Sequence, residues 1–251
     1  MKVTNRIITL YLSIFCFISC STEDLGEENI VNSSVNKIVI EGEDFKGIDG
    51  YRTTLDIDFD TMNGSFQWVK DDTLGIFPVD SEGKQIGYQV AFPLTEIKDD
   101  DASKASFKGG GWALVDGAKY LSYYPFAYNN RDMCAIPISY KGQQQVGKDN
   151  MKHFGAFDYM FASGAAPASG EVNFKYKHLG HLLIAQITLH EDANLTELQF
   201  ISPNKNAFIE EGTFNLGEAP NTNVNGVVVW PINPSNKSNT LSLKLQYKDN
   251  L

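Results

Sequence analysis

The sequence predicts an all-β protein, two β-sandwich domains in tandem behind an export signal. Three observations carry this expectation. No long amphipathic helical repeat occurs anywhere in the chain, and short runs alternate apolar and polar residues with a period of two. Clusters of Gly, Asp, Asn and Pro separate those runs, as turns separate strands. At roughly 100–200 residues per domain, the 251 residues allow one large domain or two small ones.

The first element is the segment 1–19, read as a lipoprotein signal peptide. Lys2 and Arg6 supply a positive start, and Ile7 to Ile18 (IITLYLSIFCFI) form a twelve-residue apolar run. That run is too short for a bilayer-spanning helix of about 20 residues but suits the apolar core of a signal. Cys20 follows at once, and "FISC" resembles a bacterial lipoprotein box, with Phe17 where leucine is usual. The expectation is acylation of Cys20, whose two acyl chains are the pair of anchors that stable membrane attachment needs. Residues 20–36, in which STEDLGEEN follows Cys20, read as an acidic flexible tether of the kind that accompanies surface-exposed outer-membrane lipoproteins. An acylated Cys20 leaves Cys134 without a partner, so no disulfide framework is expected and Cys134 should pack as a small apolar residue.

Composition narrows the function classes. With 42% apolar and 21% charged residues the chain is globular rather than disordered. A net charge of −10 argues against nucleic-acid binding, which needs concentrated Lys and Arg.

The strand candidates run in order. Lys37 to Ile40 (KIVI) comes first. Leu55, Ile57 and Phe59 then alternate with Asp56, Asp58 and Asp60, a half-buried strand with a carboxylate face. An EF-hand needs Gly at position 6 and Glu at 12 of its loop; here Gly64 is misplaced and position 12 is Gln67, so a solvated face is the better reading. Ser65 to Val69, a turn at Asp71 and Asp72, and Thr73 to Phe77 follow. Tyr88 to Phe92 should stop at Pro93, and Ala105 to Lys108 runs into Gly109, Gly110 and Gly111. Lys119 to Tyr124 should stop at Pro125. Asp158 to Ala162 closes a first domain, expected over residues 37–170, and "SGAAPASGE" reads as its linker. Val172 to Tyr176, Leu182 to Leu189, Leu195 to Ile201, Gly226 to Trp230 and Thr240 to Tyr247 belong to a second domain over 171–251. That region is short for the seven or so strands of a sandwich, hence either a small domain or an incomplete one.

Catalytic chemistry finds little footing. His178, His181 and His190 lie on a strand-like stretch, where residues three apart point to opposite faces, and no H-E-x-x-H pattern occurs. The glycine triplet at 109–111 lacks the Lys-Ser/Thr of a phosphate loop. No G-x-S-x-G elbow is present, and nothing singles out the carboxylate pair of a glycoside hydrolase. The expectation is a protein without catalysis, metal or cofactor. Tyr120, Tyr123, Tyr124, Phe126 and Tyr128, with Trp112, offer a competing function: stacking on sugars, as in a glycan-binding surface lipoprotein of a polysaccharide-uptake system.

Three stretches together resemble the fimbrillin family, the subunits of surface fimbriae in gut and oral Gram-negative anaerobes. "GSFQWVKDDTLGIFPVD" (Gly64 to Asp80) is similar to the family's F-x-W-x-x-G-D-x-I-G-V-F run, with Asp71 where glycine is usual. "YLSYYPF" (Tyr120 to Phe126) is close to Y-x-A-Y-Y-P-Y. "VNFKYKHLGHLLIAQITL" (Val172 to Leu189) is similar to F-x-H-x-x-A-K-L-x-F-x-I, with Gly180 and His181 in place of Ala-Lys. Order and spacing match over residues 37 to about 215.

The resemblance implies transthyretin-like, Greek-key sandwiches and a fimbrial subunit that serves adhesion from the outer membrane. Its partners would be other fimbrial subunits, joined by strand exchange. In that family a trypsin-like protease removes the N-terminal strand; carried over here, the cut falls at Arg52, with Lys46 as the alternative.

Overall fold

The computed structural model describes residues 8–16, 37–41, 54–58, 63–99, 101–109, 119–147, 151–164, 171–189, 195–222 and 228–246. Among these there are twenty strands, two short 3-10 turns (Met133–Ala135 and Lys152–Ala156) and no α-helix. The architecture is an all-β sandwich, as the period-two patterning predicts.

The first strands are β1 (Ile8–Cys16), β2 (Lys37–Glu41), β3 (Thr54–Asp58), β4 (Asn63–Gln67) and β5 (Thr73–Val79). Then come β6 (Val90–Lys98), β7 (Asp101–Phe107), β8 (Lys119–Tyr124), β9 (Ile136–Ser139) and β10 (Gln144–Val146). The next five are β11 (Met160–Gly164), β12 (Glu171–Lys175), β13 (Lys177–His178), β14 (His181–Leu189) and β15 (Glu197–Ile201). The last are β16 (Phe208–Phe214), β17 (Asn221–Thr222), β18 (Val228–Val229), β19 (Ile232–Ser238) and β20 (Thr240–Gln246).

The largest sheet has eight strands in the order β12-β2-β7-β6-β5-β8-β11-β13. Strand β6 is its corner. Its first half pairs with β5 as far as Thr73↔Pro93, and from Leu94 onward it pairs with β7. Pro93 was expected to end this strand. Instead the strand continues, because the residue without an N–H falls where the ladder changes partner, and a bulge between Leu94 and Glu96 turns the sheet there.

Folding at that corner brings two halves of the sheet together over one core. Phe107 of β7 with Val172 and Phe174 of β12 meet Leu74 and Ile76 of β5, Tyr120 and Tyr124 of β8, and Met160 and Ala162 of β11. Trp68 sits among them, edge-on to Phe107 at 4.9 Å and to Tyr124 at 5.4 Å. The opposite face of β5 and β8 is buried too. Phe77, Val79 and Tyr123 pack on Ile136, Ile138 and Phe214 of a second, three-stranded sheet, ordered β19-β16-β9, and on Leu216 just beyond β16. Strand β5 is thus covered on both sides, which is why TLGIFPV is apolar almost throughout instead of alternating. A third core gathers Leu241, Leu243 and Leu245 of β20 with Leu183, Ala185, Leu198 and Phe200. Here the alternation is kept, as expected of a strand buried on one face.

The expected boundary near residue 170 is crossed by strand pairs. β12 pairs with β2, β13 with β11, β16 with β9, and β20 with β10. Ile8–Cys16, within the run Ile7 to Ile18 read as the apolar core of a signal, forms strand β1, antiparallel to β14 along its whole length from Ile8↔Leu189 to Cys16↔His181.

Candidate functional site

Strand β2 occupies an interior position in the main sheet although it stands near the start of the chain. It pairs in parallel with β12 (Lys37↔Glu171 through Glu41↔Lys175) and antiparallel with β7 (Ile38↔Phe107, Val39↔Ser106, Ile40↔Ala105). Its two neighbours contribute Ala105, Phe107, Val172 and Phe174 to the core, all at 1% exposure or less. The strands that flank β2 thus both feed the core around Trp68.

The wall of that core is braced by the segment 68–72 that resembles the family run. Asp71 adopts φ 78°, a left-handed position that Asp tolerates better than most residues, in the place where glycine is usual. The turn then directs Asp72 inward. Its Oδ2 accepts the Val69 N–H at 2.7 Å and its Oδ1 accepts the Tyr124 hydroxyl at 3.0 Å. Burial, and next the Asp72 carboxylate, push the Tyr124 hydroxyl well above the ordinary tyrosine range, so it is a permanent donor. Ser122, buried on the same strand, hydrogen-bonds the hydroxyl of Tyr176.

Three members of the aromatic row of residues 120–128 considered for sugars are withdrawn from the surface. Tyr120, Tyr123 and Tyr124 are buried, because alternate residues of β8 face the two cores on either side of it. Phe126 is half-buried, and Tyr128 is 85% exposed. Trp112 lies outside the described residues, as do Cys20, Lys46, Arg52, Asp60, His190 and two glycines of the triplet, Gly110 and Gly111.

Cys134 does not pack as a core residue: it is exposed in a 3-10 turn where its N–H is held by Asp132 Oδ1 at 2.8 Å, and Met133 takes the buried place. Partial burial, then the nearby Asp132 carboxylate, raise its thiol above the usual range, which suppresses thiolate chemistry. His178 pairs through Nδ1 with Oδ1 of the fully buried Asp158 at 2.6 Å, and His181 lies on β14. No group of three metal-ligating side chains occurs among the described residues. Asp56 and Asp58 lie on β3, paired with β4.

A second concavity, of whose lining the sequence marked only Phe126, lies at the edge of the β19-β16-β9 sheet. It is an open cleft of about 520 Å³ between the loop Pro125–Ala127 and residues of β9, β16 and β19.

No family model matches the chain, and no curated protein does. Among solved structures the chain is similar to one described as a "putative cell adhesion protein" from Bacteroides ovatus ATCC 8483. The two share 15% sequence identity with a TM-score of 0.37, over 85% of this chain and 78% of the other. That superposition is too loose to define a shared topology.

Proposed function

We propose that this protein is a fimbrillin-like subunit of cell-surface fimbriae. In this reading it is exported as an outer-membrane lipoprotein precursor acylated on Cys20. Strand exchange after proteolytic removal of the N-terminal strand then assembles it, and the product serves adhesion. The observation that supports this best is the position of β2, an N-terminal strand inside a sheet and upstream of Arg52. Loss of β2 would leave two facing backbone edges, one on β7 and one on β12. Each buried backbone group left unpaired costs about 1–3 kcal/mol. An open slot of this kind strongly favours capture of a strand from a second subunit, with ladder bonds supplying affinity and alternate side chains supplying register. Signal cleavage ahead of Cys20 would add a second vacancy, because β1 leaves with the signal and β14 loses its antiparallel partner.

The test is limited trypsin digestion of the purified precursor. Loss of residues up to Arg52, followed by SDS-resistant ladders, is the expected result, and Arg52→Ala should abolish both. A processed core that stays monomeric in sedimentation, or ladders that form equally well in Arg52→Ala and in Lys46→Ala, would overturn the proposal.

A further inference from the structure

The cleft beside the β19-β16-β9 sheet carries its own recognition chemistry. Strand β9 is the edge of that sheet, yet it is closed to strand addition. Pro137 has no N–H, and the Tyr159 hydroxyl both accepts the Ser139 N–H at 2.9 Å and donates to the Ser139 carbonyl at 3.1 Å. An extended peptide therefore finds no free ladder there. One wall of the cleft is the half-buried Phe126, with the exposed Tyr128 edge-on to it at 6.5 Å and 90°. Ser139, Glu211 and Ser235 line the opposite side.

The charges at the rim are already matched to one another. Lys141 Nζ sits 2.7 Å from Glu211 Oε2 and 3.9 Å from Glu210 Oε2, and Asn236 donates to Glu210 at 2.8 Å. A register shift in β16 on either side of Glu211 places these two acids side by side. Two carboxylates disfavour an anion, and a resident ammonium disfavours a cation. A carboxylate that accepts and an ammonium that donates, next to serine hydroxyls that do both, suit a ligand whose hydroxyls also do both. The negative faces of aromatic rings suit a ligand with weakly positive C–H groups. The volume of about 520 Å³ falls within the roughly 300–1,000 Å³ of small-molecule sites.

From this geometry we infer that the cleft is a binding site for neutral carbohydrate, held between Phe126 on one side and Ser139, Glu211 and Ser235 on the other, with Tyr128 beside Phe126 and Lys141 beside Glu211 outside the lining. Sugar binding by the unprocessed chain would stand whether or not strand exchange occurs, so failure of one leaves the other intact.

Saturation-transfer NMR on the full chain, with lactose, cellobiose and maltose as probes, tests it. At least one disaccharide should receive saturation on its ring protons. Phe126→Ala and Glu211→Gln should each weaken binding about tenfold or more (~1.4 kcal/mol). Tyr88→Ala, exposed but outside the cleft and stacked beneath Arg131, should leave binding unchanged and serves as the control. Both cleft variants alter partly exposed side chains, and unchanged tryptophan emission confirms that they fold. Absence of transfer to all three sugars, or equal weakening by Tyr88→Ala and Phe126→Ala, would overturn the inference. So would binding of a proline-rich peptide to the cleft in place of any sugar.

Discussion

Replacing Tyr124 by phenylalanine removes one hydroxyl and leaves intact the ring that meets Trp68 edge-on at 5.4 Å. Buried apolar area is therefore unchanged, and the loss is confined to the hydrogen bond from the Tyr124 hydroxyl to Asp72 Oδ1 at 3.0 Å. A bond to a charged group contributes about 1.5–3 kcal/mol net. Low exposure of both partners, 6% for Tyr124 and 7% for Asp72, puts this one in the upper half of that range. Asp72 keeps the Val69 N–H at 2.7 Å on its other oxygen, so the carboxylate is not stranded and the loss should not exceed about 3 kcal/mol. For 150–250 residues a loss of 1 kcal/mol lowers Tm by about 2–4 °C, which gives a fall of roughly 4–12 °C. Urea unfolding followed by tryptophan emission, with calorimetry alongside, measures it. Asp72→Asn should be non-additive with Tyr124→Phe by about 1 kcal/mol or more, since both changes act on one bond. A loss below about 0.5 kcal/mol in Tyr124→Phe would mean that water replaces the hydroxyl and that Asp72 does not brace the wall.

Two further changes follow from the packing. Burial is the largest cause holding the hydroxyls of Tyr124, Tyr140 and Tyr159 above the ordinary tyrosine range. Above about pH 10 the unfolded chain releases protons that the folded chain keeps, so stability is full below that pH and falls as pH rises. Each of the three contributes up to about 1.36 kcal/mol per pH unit. Tyrosinate absorbance and far-ultraviolet circular dichroism should therefore change together. A smooth titration of all eleven tyrosines near pH 10 with the dichroism intact would contradict this. Gly75→Ala should cost about 1–3 kcal/mol, because a Cβ there would lie 2.1 Å from Cε1 of Tyr123. Tyr123 has little room to move: it stacks on Phe77 and accepts the Ala127 N–H at 3.1 Å. An alanine variant as stable as the parent in urea would show that the ring can yield.

Much of the strand pattern was legible in the residues. KIVI, TLGIF and KYLSYY became β2, β5 and β8, and the Asp71–Asp72 turn lies where the acidic pair placed it. What escaped is informative. Strand β9 (IPIS) and strand β19 (INPSNKS) each contain a proline, and β16 (FIEEGTF) carries two adjacent acids, so none reads as a strand locally. They exist because they pair with one another across long separations, Ile136↔Phe214 and Phe214↔Ile232. Gly212 permits the closest of these approaches, since a Cβ there would lie 2.5 Å from the Asn233 carbonyl oxygen. The cleft is built on this sheet, and of the aromatics at 120–128 that the sequence offered for sugar stacking only Phe126 lines it. Tyr120, Tyr123 and Tyr124 look like Tyr128 in the sequence, and only the two-sided burial of β8 separates them.

By itself the sequence determined the secondary structure class, the punctuation of most strands and the acidic character of the chain. These depend on backbone preferences and on alternation over a few residues, which are local quantities. Tertiary structure alone decided that an N-terminal strand lies inside a sheet, that a central layer is covered on both faces, and that Glu211 and Lys141 meet across 70 residues of chain. Such facts rest on pairing between distant segments, and no window of sequence holds both partners of a long-range pair.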